Sequence, residues 1–182
     1  HEDTDGVLWL ATAGAGIARL VDETIVPITT RQGLYDDRVF CVLPGDDGYL
    51  WMSSGRGLFR VRREEAARVA AGQADRVRST AYDVADGLPT TECSIGTQQP
   101  CWKSRDGLLW FPTHQGVVAV DTSHVRKNLL ARPVVIEGVR LDGRDVPADE
   151  TVVVPAGTRR VELFFTGLSL LVPHRVQFRY RL

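Results

Sequence analysis

Apolar residues along this chain come in short runs separated by turn residues, and one such arrangement occurs three times. Residues 5–20 read DGVLWLATAGAGIARL, residues 47–61 read DGYLWMSSGRGLFRV, and residues 106–121 read DGLLWFPTHQGVVAVD. Each copy opens on Asp-Gly, a tight-turn dipeptide because glycine accepts a positive φ without steric penalty. Leu-Trp and a brief β-prone run follow. A second turn comes next, AGAG at 13–16, SGRG at 54–57 or THQG at 113–116, and then a second apolar run, IARL, LFRV or VVAV. Every copy therefore predicts strand, turn, strand. A lone hairpin is marginal in water, and repeated units of this kind gain stability by laying a face against the next copy.

A second landmark lies between the copies. QGLYDDRVFCVL at 32–43 matches DGLPTTECSIG at 86–96, each with Gly-Leu ahead of a short strand. The period thus holds four strands, expected in the first full repeat near 38–43, 49–53, 57–62 and 78–83. Trp9 and Trp51 stand 42 residues apart, the length of a four-stranded propeller blade. Trp51 and Trp110 stand 59 apart. RREEAARVAAGQ at 62–73 explains most of the excess, because its helix formers and glycine stop predict a short helix between the third and fourth strands. Five more residues fall within TQQPCWKSR at 97–105. One tryptophan at a fixed place in each repeat reads as a ring wedged between neighbouring sheets.

After Val120 the pattern stops. DTSHVRKNLLARP reads as a connector, and VVIEGVRLDG and RRVELFFTGLSL predict further strands. VQFRYRL at 176–182 alternates strictly, with Val176, Phe178, Tyr180 and Leu182 on one side, as in a half-buried antiparallel strand. The expected fold class is all-β: a partial β-propeller of four-stranded antiparallel blades over 1–131, then the first strands of an immunoglobulin-like β-sandwich over 132–182. Exposed edges of such incomplete sheets invite pairing, so self-association through open blade or sandwich edges is expected.

Composition narrows the classes. Apolar residues make up 43% and charged residues 25%, ordinary for a soluble globular protein. No apolar run approaches the ~20 residues of a membrane helix, so no membrane contact is expected within this chain, and no signal-peptide pattern is present. Met52 is the one methionine, which fits a processed or excised piece of a longer protein. Residues 1–50 carry nine acids against three arginines, and residues 126–182 carry ten bases against six acids. Neither forms a basic stripe with interleaved aromatics, so nucleic acid is not an expected partner. Cys41, Cys93 and Cys101 form no CxxC or Cys/His cluster, so no metal is expected. Cys93 and Cys101 could pair in an oxidising compartment; the plainer reading is three buried thiols.

The three DG-x-LW copies, with Gly-Leu ahead of the following strand, resemble the two-component regulator propeller repeat. YDVADGLPTTECSIGTQQPCWKSRDGLLWFPTHQGVVAVD resembles the last blade of such propellers. RPVVIEGVRLDG followed by VPAGTRRVELFFTGLSLLVPHRVQFRYRL resembles the start of the three-tyrosine, immunoglobulin-like domain that follows them. The resemblance implies a bacterial sensor whose propeller and sandwich lie on the periplasmic side of the inner membrane. A transmembrane helix then leads to a histidine kinase or a GGDEF-type diguanylate cyclase. It also implies a sugar or polysaccharide fragment as ligand.

Propellers bind ligands on the loops at the channel mouth. The candidates here are Tyr35, Asp36 and Arg38 before one inner strand, Thr91 and Glu92 before the next, and Arg56 and His114 in equivalent second turns. Gln98 and Trp102 lie in the five-residue insertion. Aromatic, amide and charged groups together suit an oligosaccharide or other small polar ligand; taken singly, each is also an ordinary solvated loop residue. His114 with Glu92 could imitate a propeller lyase. GxSxG, HExxH and phosphate-loop motifs are all absent, so a non-catalytic chain without cofactor is expected. A protein-assembly scaffold is the alternative.

Overall fold

The computed structural model describes residues 1–3, 6–21, 23–94, 100–125, 134–147 and 151–167. The chain divides into two compact units, His1–Arg126 and Lys127–Leu182. It is an all-β protein with antiparallel sheets and, among the described residues, one short α-helix.

Three sheets build the first unit. Strands β1 (Leu8–Ala11), β2 (Ile17–Val21) and β3 (Thr24–Ile28) form the first, in sequence order. The second runs β4 (Val39–Pro44), β5 (Tyr49–Ser54), β6 (Gly57–Arg62) and β7 (Thr80–Tyr82), with helix α1 (Arg63–Ala70) between β6 and β7. The third contains β8 (Trp102–Lys103), β9 (Leu109–Thr113) and β10 (Gly116–Val120). The four strands and the helix expected in the first full repeat are all present.

Residues opposite one another in neighbouring strands share a face. In the second sheet Leu50 stands opposite Val61 and Met52 opposite Phe59, while Trp51 stands opposite Arg60. Leu50, Met52, Phe59 and Val61 join Trp9, Ile17 and Ile28 of the first sheet in one apolar cluster. Trp51 and Leu58, on the other face, join Leu109 and Phe111 of the third sheet in another. The second sheet therefore lies between the other two and is buried on both sides. Trp9 and Trp51 are each 1% exposed, as the packing reading expects. Trp110 departs from it at 37% exposed, because no other described sheet of the first unit packs on its face of the third sheet.

The Gly-Leu landmarks are 3₁₀ turns. Thr30–Gln32 and Val84–Asp86 each carry a capping box, formed by Thr29 with Gln32 and by Asp83 with Asp86, and each closes on a left-handed glycine, Gly33 or Gly87. The leucine that follows is buried in the first cluster (Leu34) or the second (Leu88).

The cysteines correct the sequence reading. Cys41 on β4 is bonded to Cys101, just ahead of β8, and Cys93 is a buried free thiol. Neither a Cys93–Cys101 pair nor three free thiols is found. Sheet stacking sets Cys41 on the inner strand of one sheet against the next, 60 residues on. Cys93 is instead held by an isolated bridge to Thr113 at the far end of β9.

In the second unit β11 (Val134–Leu141) lies between β12 (Arg144–Val146) and β13 (Val161–Gly167). The β11–β12 turn has positive φ at Asp142 and Gly143, the tight hairpin geometry. A register shift between Ile136 and Gly138 leaves Glu137 unpaired against β13. Ile136 and Val139 consequently share a face with Leu163 and Phe165. Without that bulge the alternation would put the two on opposite faces. The strand expected at 176–182 lies outside the described residues.

Candidate functional site

One end of the first unit gathers the second turns of the repeats and the connectors between sheets. The connector into β4 runs beside the turn of the first sheet: Ala13 bridges Arg38, the Gly16 amide donates to the Asp37 carbonyl at 2.8 Å, and the Val39 amide donates to the Thr12 carbonyl at 2.9 Å. The connector into the third sheet threads between two more turns. There the Cys93 amide donates to the Ser54 carbonyl at 3.4 Å, and the His114 amide donates to the Glu92 carbonyl at 3.0 Å. Topology causes this convergence, because in a four-strand meander the second turn and the exit connector fall at the same end.

The predicted residues divide accordingly. Tyr35 and Arg56 meet: the guanidinium lies 4.6 Å from the Tyr35 ring centroid, and the phenol donates to the Arg56 carbonyl at 3.5 Å. The Tyr35 ring is backed by Phe59, 5.5 Å away between centroids. Arg38 lies over the Phe40 ring at 5.9 Å, and its amide donates to Asp36 at 3.0 Å. Glu92 and His114 meet only through backbone. Both side chains are exposed, and among the described residues no hydrogen bond joins them. Thr91 is half-buried beside them. Trp102 leaves the group, because it sits on β8 opposite Trp110, at the other end of β9, and is 57% exposed. Gln98 lies outside the described residues.

A buried constellation towards the opposite end, at the Asp-Gly turn that opens β5, is absent from the sequence reading. Arg60 donates to Asp47 at 2.7 Å, with side chains only 5% and 7% exposed. Its guanidinium lies 4.2 Å from the Tyr49 ring centroid, 5.1 Å from that of Trp51 and 5.6 Å from that of Tyr82. Trp51 and Tyr82 stack at 5.1 Å, and the Trp51 indole donates to Asp47 at 3.4 Å. The signal for it was the shared arginine of IARL and LFRV. Arg19 stands opposite Trp9 as Arg60 stands opposite Trp51, and the Trp9 indole donates to Asp3 at 3.3 Å. This group holds the sheets rather than a ligand.

The turn end offers exposed guanidinium donors over aromatic rings and shallow relief. Two clefts lie elsewhere: about 330 Å³ at the opposite end, lined by Asp46, Tyr49, Arg63 and Lys103 among others, and about 510 Å³ in the second unit around Arg140, Asp145 and Phe164. Among the described residues no group of three or more His, Cys, Asp or Glu is placed to hold a metal ion, and no helix is long and apolar enough to cross a membrane. Donors of this kind can bind hydroxyl, carbonyl or acidic groups of a ligand.

No protein-family model matches the chain, and no curated protein matches it. Solved structures do. The chain is similar to the extracellular domain of a protein described as the hybrid two component system BT3049 of B. thetaiotaomicron, with 18% identity over 82% of this chain and 20% of that one, at a TM-score of 0.56. It also aligns with the extracellular domain described as that of the one component system BT4673 of the same organism, at 16% identity, 84% and 18% coverage and a TM-score of 0.40. The chain spans about a fifth of the length of these structures. The first likeness establishes a shared fold.

Proposed function

We propose that this chain is an extracytoplasmic ligand-sensing and signal-relay segment of a bacterial membrane sensor, non-catalytic in itself. Its first unit belongs to a β-propeller and its second opens an immunoglobulin-like domain. The observation that carries this reading is the fold shared with an extracellular domain of a two component system over 82% of the chain. The Cys41–Cys101 disulfide supports it independently, because such bonds persist in oxidising compartments such as the periplasm. The ligand is an oligosaccharide or other small polar molecule, held at the turn end by Tyr35, Arg38 and Arg56 with Glu92 and His114 beside them. By bridging turns of neighbouring sheets it biases their mutual arrangement, provided it binds one arrangement more tightly. The second unit relays that bias towards a kinase or cyclase output.

Titration of the chain with a panel of soluble polysaccharides and their oligosaccharide fragments, followed by calorimetry, tests the reading. We expect at least one to bind and Arg56→Ala to weaken it about tenfold, the equivalent of ~1.4 kcal/mol. No binding across the panel, or binding indifferent to Tyr35→Ala, Arg38→Ala and Arg56→Ala, would refute the assignment.

A further inference from the structure

The arginines at the turn end differ from Arg60 in one respect. Arg60 lies over Tyr49, Trp51 and Tyr82 and has the Asp47 carboxylate as its partner. Arg38 and Arg56 also lie over rings, those of Phe40 and Tyr35. Both are exposed, and neither forms an ion pair among the described residues. Arg62, 5.1 Å from the Tyr49 ring centroid, shares its ring with the paired Arg60. Arg38 and Arg56 instead have a ring each, and the two stacks meet at one turn. A Cβ added at Gly55 would stand 3.8 Å from the Phe40 ring, and the Tyr35 phenol donates to the carbonyl of Arg56 next along that turn. Half-buried rings hold both cations in place, so less side-chain entropy is lost when a ligand arrives.

The acids at this end do not fill the gap. Asp36 accepts from the Arg38 amide, and Asp37 accepts from the Thr30 amide and hydroxyl at 2.6 and 2.9 Å. Asp83 and Asp86 form the capping box of the next connector. The second turns, TAGAG at 12–16, SGRG at 54–57 and THQG at 113–116, contain no acid. Glu92 remains, and its place is informative. GLYDDRV at 33–39 aligns with GLPTTEC at 87–93, which sets Glu92 where the previous connector has Arg38. The local turn is the same: the Glu92 amide donates to the Thr90 hydroxyl as the Arg38 amide donates to Asp36. Successive connectors therefore present a cation and then an anion.

We propose that the ligand of this site is a uronate-bearing oligosaccharide. Its carboxylate is held by Arg38 and Arg56 together, and its hydroxyls donate to Glu92 on the neighbouring connector. The inference rests on the sensing role given to this end, and adds the charge of the ligand and the residues that select it. The ligand supplies to Arg38 and Arg56 what Asp47 supplies to Arg60. A guanidinium meets a planar carboxylate through two parallel N–H donors, and a carboxylate such as Glu92 accepts from sugar hydroxyls. A sulfate ester carries a like charge, so the test separates the two.

Calorimetry on the whole chain tests it. The probes are oligomers of galacturonate, glucuronate and mannuronate, their methyl esters, neutral oligosaccharides and a sulfated neutral oligosaccharide. At least one uronate oligomer is expected to bind about tenfold tighter than its own methyl ester, and the preference shrinks as salt is raised. Arg38→Gln and Arg56→Gln each remove most of the preference and leave the methyl ester nearly unaffected. Glu92→Ala widens the preference, because the ester loses an acceptor while the acid also loses a repulsion. Circular dichroism checks folding, and Arg56→Lys, which keeps the charge, retains part of the preference. Equal binding of acid and ester, or tighter binding of a neutral or sulfated sugar than of every uronate, overturns the inference and leaves the sensing role standing. A preference unmoved by either arginine substitution, or narrowed by Glu92→Ala, also overturns it. Binding by no sugar, acidic or neutral, overturns the sensing role and the inference together.

Discussion

Arg60 is a charged residue only 4% exposed, and a buried charge is costly unless it is paired and hydrogen-bonded. Asp47 supplies the pair, and the same carboxylate accepts from the Trp51 indole and the Tyr49 amide. The Asp-Gly dipeptide was legible as a turn, but its second role was not. In LFRV the arginine looks like the solvent-facing member of an alternating strand, and only the third sheet makes its face an interior. Asp47→Ala is expected to lower stability by about 3–5 kcal/mol, the usual effect of leaving a buried partner unpaired. Urea unfolding measures it, and a loss under about 1 kcal/mol would mean that the pair is solvated. The third copy is built differently. Ala119 replaces the arginine opposite Trp110, whose indole donates to Ser104 at 2.9 Å. Tyr82, in the same cluster, has its phenol pushed up to about 12 by burial, against the opposing pull of Arg60. The folded state therefore favours the neutral phenol. Its contribution is complete below the ordinary value of about 10 and is lost as pH rises towards about 12. The stability difference between wild type and Tyr82→Phe should stay constant up to about pH 10 and then move against wild type. A difference unchanged to pH 12 would contradict this.

At the scale of elements, the strands of the full repeat and the inserted helix were legible because turn pairs fix where strands start and the tryptophan spacing fixes how many fit. The 3₁₀ turns were missed, although Thr29 with Gln32 and Asp83 with Asp86 carry the capping-box spacing. Gly57 was read as a turn glycine. Its φ of 115° requires that, and an added Cβ would also run into the Tyr82 carbonyl oxygen, an approach that only the pairing of β6 with β7 reveals. The disulfide was least legible, since the bond joins the inner strand of one sheet to the residue just ahead of β8 in the next rather than neighbours in sequence. Closing 60 residues, it should contribute about 4 kcal/mol on the chain-entropy account. The double variant Cys41→Ser, Cys101→Ser should lose about that much in urea unfolding. Thiol titration checks the pairing itself. Cys93 is buried, and burial pushes its thiol up, which disfavours the reactive thiolate. No thiol should react in the native chain, one should react in denaturant without reductant, and three after reduction. Two or more equivalents before reduction would contradict the assigned bond.

The whole molecule distributes its stability unevenly. Strands β5 and β6 lie in a sheet covered on both sides, and all twelve of their residues except Tyr49 and Arg62 are buried. In the third sheet only one face is covered. In the second unit Val139 is the single buried residue among those described, while Ile136, Leu163 and Phe165 on the same face are 56%, 48% and 41% exposed. Local opening ranges from nearly free up to the global unfolding free energy, and the most enclosed strands open last. Hydrogen exchange followed by mass spectrometry should therefore be slowest in β5 and β6, faster in β9 and β10, and fastest in β11 and β13. Slow exchange in β11 and β13 from the outset would mean that the apolar face of the second unit is covered in solution. The ordering derived from enclosure would then fail at its lower end.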